Sequence, residues 1–151
     1  MSFIELDLSV IKTRLATEVL NRDIHEPFHF LPDELIEYAK GKGLNVEVRP
    51  IMNWEEFEWG RIDFGKDDFR KIVFSENGYG FEKGRWIYIS DELLAIKKAA
   101  EFELDNFDQF VSYYEDMFKM DFFQPGDHII ISYSLKLIII IHHDGYLIRI
   151  T

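Results

Sequence analysis

Four consecutive isoleucines at positions 138–141 constrain the fold of this chain more than any other feature of its sequence. Neighbouring residues on a strand point to opposite faces of a sheet, so this run predicts an interior strand covered on both faces. Similar β-branched segments predict strands over residues 128–133, 135–142 and 146–150. Asp144-Gly145 is a tight hairpin signal between the last two. The C-terminal end therefore predicts a three-stranded meander.

Helical spacing of apolar residues predicts helices over residues 7–22, 90–103 and 106–119. Pro32 opens a further helix that ends near Gly41. Alternating residues predict strands over residues 44–51 and 85–89. The middle of the chain is less regular, with possible strands at 57–64 and 70–74 and a turn at Asn77-Gly78. The pattern predicts an α+β fold in which about four helices pack on a mostly antiparallel sheet.

The chain has 151 residues and no Ser/Pro-rich linker, so we expect one domain over residues 1–151. It has no cysteine, which excludes disulfides and thiolate metal sites from its own residues. The first residues lack the pattern of a signal peptide, and the most apolar stretch is too short to span a bilayer. We therefore expect a cytoplasmic protein.

Histidines are the first place to look for reactive or metal-binding groups. His25 and His29 have the spacing of a helical metal pair, but Pro27 lies between them and disfavours a helix. His142 and His143 are adjacent on a predicted strand, where they are expected to point to opposite faces and not to share an ion. No phosphate-binding loop, nucleophile elbow or calcium loop is present in the sequence. The sequence thus predicts no metal, no cofactor and no catalytic residue, and we expect a protein that is not an enzyme.

Two segments contain most of the net charge of −11. Residues 53–69 contain six acids against two bases, a net charge of −4, and residues 101–121 contain seven acids against one base, a net charge of −6. Aromatic residues alternate with the acids in both segments. Aromatic side chains contribute contact area at interfaces, and carboxylates attract basic partners. The alternative is that the aromatic residues face the core and the acids form a solvated coat.

The candidate partner-binding residues follow from these two segments. Trp54 and Trp59 are the expected aromatic contacts. The acids expected to meet a basic partner are Glu55, Glu56, Glu58, Asp63, Asp67 and Asp68 in the first segment and Asp105, Asp108, Glu115 and Asp116 in the second. A surface of this sign repels nucleic acid and anionic membranes, so neither is expected as a partner.

Three functions are compatible with these features. The first is an acidic protein that inhibits or neutralises a basic protein, such as a nuclease or toxin domain, in the manner of the immunity proteins of bacterial toxin systems. No motif connects the chain to any family of them. The second is a small enzyme or ligand-binding domain with a pocket near His142, His143 and Asp144. The third is a structural subunit that associates with itself through an exposed strand edge.

Overall fold

One antiparallel sheet organises the part of the chain that the computed structural model describes, which is residues 3–11, 32–75 and 84–151. Within these ranges the sheet has seven strands in the order β1-β4-β3-β5-β6-β7-β2, and every neighbouring pair is antiparallel. The strands are β1 Phe3–Asp7, β2 Val46–Pro50, β3 Arg85–Ser90, β4 Lys98–Glu103, β5 His128–Ser132, β6 Leu137–His142 and β7 Tyr146–Ile150. The predicted α+β class and the C-terminal meander are confirmed.

The isoleucine run lies on β6, between β5 and β7. Ile139 and Ile141 pack into a cluster on one face of the sheet, and Ile138 and Ile140 pack into a second cluster on the other face. All four side chains are fully buried. The two-faced burial predicted from the β-branched run is therefore confirmed.

Helices cover both faces of the sheet. They are α1 Pro32–Gly41, α2 Trp54–Glu58, α3 Lys66–Arg70, α4 Asp91–Ala95 and α5 Phe107–Phe118 within the described ranges, with a π-helix at Lys71–Ser75 and a 3-10 helix at Leu104–Asn106. Leu35 and Ala39 of α1 pack on one face with Ile11. The other face carries α2, α3, the π-helix and α5, and its core is mostly aromatic. Both acidic segments therefore contribute to the same layer of the molecule.

The middle of the chain departs from the sequence-based prediction. The strands expected at residues 57–64 and 70–74 are wrong, because these stretches lie in or beside α2, α3 and the π-helix. Ile72, Val73 and Phe74 are all buried. Three successive buried apolar residues fit the wider turn of a π-helix, but in sequence they resemble a strand covered on both faces.

The helix expected over residues 90–103 is also only partly correct. Ser90 Oγ accepts the Leu93 N–H at 3.2 Å and caps α4. The helix stops at Ala95, and Lys97 adopts a left-handed φ of 58° before β4 begins. Ala99 and Ala100 are fully buried in β4, which pairs with both β1 and β3. Packing in the sheet outweighs the helical preference of alanine here.

The N-terminal region contains a strand that the sequence did not predict, β1, followed by helical residues 8–11. The remainder of the helix expected over residues 7–22 lies outside the described residues, as does the Asn77-Gly78 turn. The helices expected at residues 32–41 and 106–119 are confirmed. No helix in the described ranges is long and apolar enough to cross a membrane.

Candidate functional site

An open groove of about 520 Å³ lies where α2 meets the turn between β6 and β7. Four of its ten lining residues are acidic, namely Glu55, Glu56, Glu58 and Asp144, and none of the ten is basic. Tyr146 lines the same groove and is 44% exposed. The groove therefore combines negative charge with accessible aromatic surface.

Trp54 holds the two walls of the groove together. Its indole Nε1 donates a hydrogen bond of 3.1 Å to the His143 carbonyl. The Ile51 N–H donates to the Gly145 carbonyl at 2.8 Å. Gly145 has a φ of 90°, and a Cβ there would lie 2.6 Å from the Trp54 ring. The close approach of these two residues requires glycine in the turn.

The two tryptophans of the first acidic segment have different environments. Trp54 is only 5% exposed and packs edge-on against Phe57, with ring centroids 5.3 Å apart. Trp59 is 70% exposed. Phe57 and Phe69 are buried as well. Most aromatic residues of this segment therefore belong to the core, and Trp59 is its aromatic side chain that is largely exposed to solvent.

The predicted acids of the first segment lie at the surface. Glu55, Glu58, Asp63 and Asp67 are exposed, and Glu56 is partly buried. Asp68 is also partly buried, and its Oδ2 accepts the Gly65 N–H at 2.8 Å, which stabilises the start of α3. Asp68 thus has a structural role, four of the other acids are exposed to solvent, and Glu56 is partly exposed.

The second set of acids lies on α5 and on the 3-10 helix before it, on the same side of the sheet. Asp105, Asp108 and Asp116 are exposed. Glu115 is partly buried, and its Oε2 accepts the Phe122 N–H at 3.1 Å. Lys66 Nζ lies 3.4 Å from Asp108 Oδ1, so one ion pair links this set to α3 of the first segment. Tyr114 is buried and Tyr113 is 51% exposed.

A second cluster of polar side chains surrounds His142 and His143 at the β6–β7 turn. His142 Nε2 lies 2.9 Å from Asp33 Oδ1, at the start of α1. His143 Nδ1 lies 3.0 Å from Asp127 Oδ1, just before β5, and the His143 N–H donates to the same oxygen at 2.8 Å. Asp144 lies 3.7 Å from His142 Nδ1 and 3.6 Å from His143 Nε2.

The expectation that His142 and His143 point to opposite faces is wrong. Their rings stack, with centroids 4.1 Å apart and planes inclined by 28°. The alternation of a strand ends at His142, because β6 ends there and His143 already belongs to the turn. The other candidate pair, His25 and His29, lies outside the described residues.

The carboxylates around this turn change the acid strengths of their neighbours. The hydrogen bond that His143 Nδ1 donates to Asp127 raises the pKa of His143, because it stabilises the imidazolium. Burial, followed by the negative charge of Asp127, raises the pKa of Asp91. Asp127 thus interacts with both His143 and Asp91.

Sequence reasoning identified His142, His143 and Asp144 but missed Asp33 and Asp127. Asp33 is 109 positions from His142, and Asp127 is 16 positions from His143. Asp33 looked like an ordinary first-turn acid of a helix, and Asp127 like a loop residue. Only the pairing of β5 with β6 brings Asp127 to the turn.

No protein-family model, curated protein or solved structure matches this chain.

Proposed function

We propose that this chain is an acidic protein-binding domain that inhibits or neutralises a basic protein partner. The observation that carries the proposal is the groove between α2 and the β6–β7 turn, in which four lining residues are acidic and none is basic. Carboxylates in a concave surface focus the negative potential and accelerate encounter with a positively charged partner.

Exposed apolar side chains beside these acids support a protein partner over a small cation. Met52 and Trp59 flank α2 and are 82% and 70% exposed. Tyr146 adds an aromatic wall within the groove. Tryptophan and tyrosine are enriched among the residues that contribute most binding energy at protein interfaces. The surface thus offers apolar contacts surrounded by charge.

The sign of the charges supports one class of partner. A protein that binds nucleic acid presents lysine and arginine to phosphates, and a row of carboxylates can occupy the same positions. We therefore propose a nuclease or a toxin domain of similar charge as the target. Immunity proteins of bacterial toxin systems neutralise a toxin by binding to it, and the chain would play a similar role in the cytoplasm.

The experiment compares two charge reversals of equal size. The partner is first captured with the tagged chain at low salt, identified by mass spectrometry and purified. Its affinity is then measured for the wild type, Glu58→Lys and Glu37→Lys. Both glutamates are exposed, but Glu37 lies on α1, on the opposite face of the sheet. We expect Glu58→Lys to weaken binding about tenfold or more and Glu37→Lys to leave it within about twofold.

The triple reversal Glu55→Lys, Glu56→Lys and Glu58→Lys extends the test. We expect it to remove most of the salt dependence of the affinity, because the screened charges are those of the groove. An affinity and salt dependence equal to those of the wild type would rule out the groove as the binding surface. Asp105→Lys with Asp116→Lys then tests whether the second acidic segment contributes.

A small enzyme or ligand-binding domain is the second candidate function, and the polar cluster at the β6–β7 turn favours it. His142 and His143 each approach a carboxylate within hydrogen-bond distance, as a general base or a polar ligand site requires. A screen of small-molecule ligands by thermal shift tests this candidate. A ligand of this site must lose its stabilising effect in the His143→Asn variant.

A further inference from the structure

We propose that His142, His143 and Asp127 form a binding site for a divalent transition-metal ion such as Zn²⁺. Each of the three residues offers one ligand atom, and these atoms lie within 4.8 Å of one another. Two imidazoles and a carboxylate suit zinc and its neighbours in the first transition row. The inference does not rest on the proposed partner.

The separation of the ligand atoms is close to that of a formed site. Donor atoms of a tetrahedral zinc ion are about 3.4 Å apart, given bonds of about 2.1 Å. The three residues therefore need to approach one another by at most about 1.4 Å. The His143 side chain is half exposed, so its ring has room to turn.

Hydrogen bonds already orient the ring of His142. Its Nδ1 accepts the Asp144 N–H at 3.1 Å, so its Nε2 carries the proton and donates to Asp33 Oδ1 at 2.9 Å. A carboxylate on the far nitrogen of a ligand histidine fixes the ring and strengthens the nitrogen that binds the metal. The ion would replace the Asp144 N–H at Nδ1, and Asp33 would keep its contact.

The charges around the turn favour a cation. Asp127 accepts two hydrogen bonds from His143, and the Asp144 carboxylate lies within 4 Å of both imidazoles. Asp144 is thus placed to become a fourth ligand. Burial increases from the exposed His143, through Asp127, to the nearly buried His142. An ion can therefore enter from solvent and reach an inner ligand.

Two variants test the site without disturbing the core. The wild-type chain, freed of metal with a chelator, is titrated with ZnCl₂ by calorimetry and gives one ion bound per chain. We expect His143→Asn and Asp127→Asn each to weaken this binding at least about tenfold. Mutating a residue that only hydrogen-bonds to a metal ligand commonly lowers the metal affinity by that factor, and loss of a ligand should lower it at least as much. The control is Asp105→Asn, which makes the same charge change as Asp127→Asn at an exposed acid of the second acidic segment and is expected to keep the wild-type affinity.

Further measurements exclude other sources of binding. The double variant His25→Asn, His29→Asn must retain the affinity, and MgCl₂ must give no saturable binding, because imidazole is a poor ligand for magnesium. Circular dichroism checks that each variant is folded, and the visible absorption bands of bound Co²⁺ report the coordination geometry of the ion. The proposal would be overturned if His143→Asn and Asp127→Asn both kept the wild-type affinity. It would also be overturned if only the double variant of His25 and His29 lost binding.

Discussion

The Tyr88 hydroxyl donates a hydrogen bond of 2.7 Å to Nδ1 of His128 inside the aromatic face of the sheet. The direction follows from the opposite side of the ring, where His128 Nε2 faces the Gln124 carbonyl at 2.8 Å and must donate. Both side chains are buried. His128 is thus a neutral imidazole with both nitrogens satisfied, and it links β3, β5 and the loop before β5.

Burial lowers the pKa of His128 below its ordinary value of 6.5. The unfolded chain therefore takes up this proton at a higher pH than the folded chain, and the free energy of unfolding falls as the pH drops below about 6.5. We expect urea unfolding in EDTA to show this loss as the pH falls below about 6.5. The His128→Gln variant must show a smaller loss over the same range, and an equal loss would contradict the assignment.

Removing the hydroxyl of Tyr88 leaves the buried Nδ1 of His128 without its donor. We expect Tyr88→Phe to lower the free energy of unfolding by about 1–3 kcal/mol, the cost of an unsatisfied buried acceptor. Tyr146→Phe is the matched control, because Tyr146 is 44% exposed and its loss should change stability by less than about 0.5 kcal/mol. Urea denaturation measures the free energy of unfolding of both variants. Equal losses of stability would argue against the hydrogen bond between Tyr88 and His128.

Gly145 allows the close approach of the turn to Trp54. We expect Gly145→Ala to cost about 2–5 kcal/mol, from the positive φ together with overlap with the indole. Gly43→Ala separates the two causes, because Gly43 has a φ of 76° and open space around it, and it should cost about 1–2 kcal/mol. Thermal unfolding of the two variants gives the comparison. Equal costs would show that Trp54 moves aside freely.

The two tryptophans of the first acidic segment should respond oppositely to truncation. Trp54→Ala removes a buried ring and is expected to cost about 3–5 kcal/mol of stability. Trp59→Ala should change stability by less than about 0.5 kcal/mol and weaken binding to a protein partner by about 2 kcal/mol. Denaturation and calorimetry measure the two effects. Full partner affinity in Trp59→Ala would remove Trp59 from the proposed interface.

The sequence predicted those elements whose periodicity and burial agree. The β-branched run at 138–141 favours a strand covered on both faces, and the apolar stripe of Phe107, Phe110, Val111 and Tyr114 fits one face of α5. The sequence-based prediction was wrong where the local preference of the residues and their tertiary packing disagree. Ala99 and Ala100 favour a helix in isolation, yet both are buried in β4, Ala100 in the aromatic cluster on one face of the sheet and Ala99 in the aliphatic cluster on the other.

The candidate sites were also predictable from the sequence only in part. The acids of residues 53–69 were identifiable from composition, because a charge excess is visible without a fold. The groove was not, since it needs Asp144 and Tyr146 from a hairpin some ninety positions later in the chain. The contact between Asp127 and His143 likewise depends on strand register, and periodicity alone does not specify which strands pair.

The strand order has a consequence for synthesis on the ribosome. The two outermost strands come from the first third of the chain, and their partners come much later: Phe3 pairs with Phe102, and Val46 pairs with Ile150. Both strands therefore leave the exit tunnel long before anything exists for them to pair with, and their unpaired edges are exposed to other nascent chains. β1 can join the sheet only after β4 has been made, and β2 only after β7, so completion of the sheet waits for the last strand of the chain.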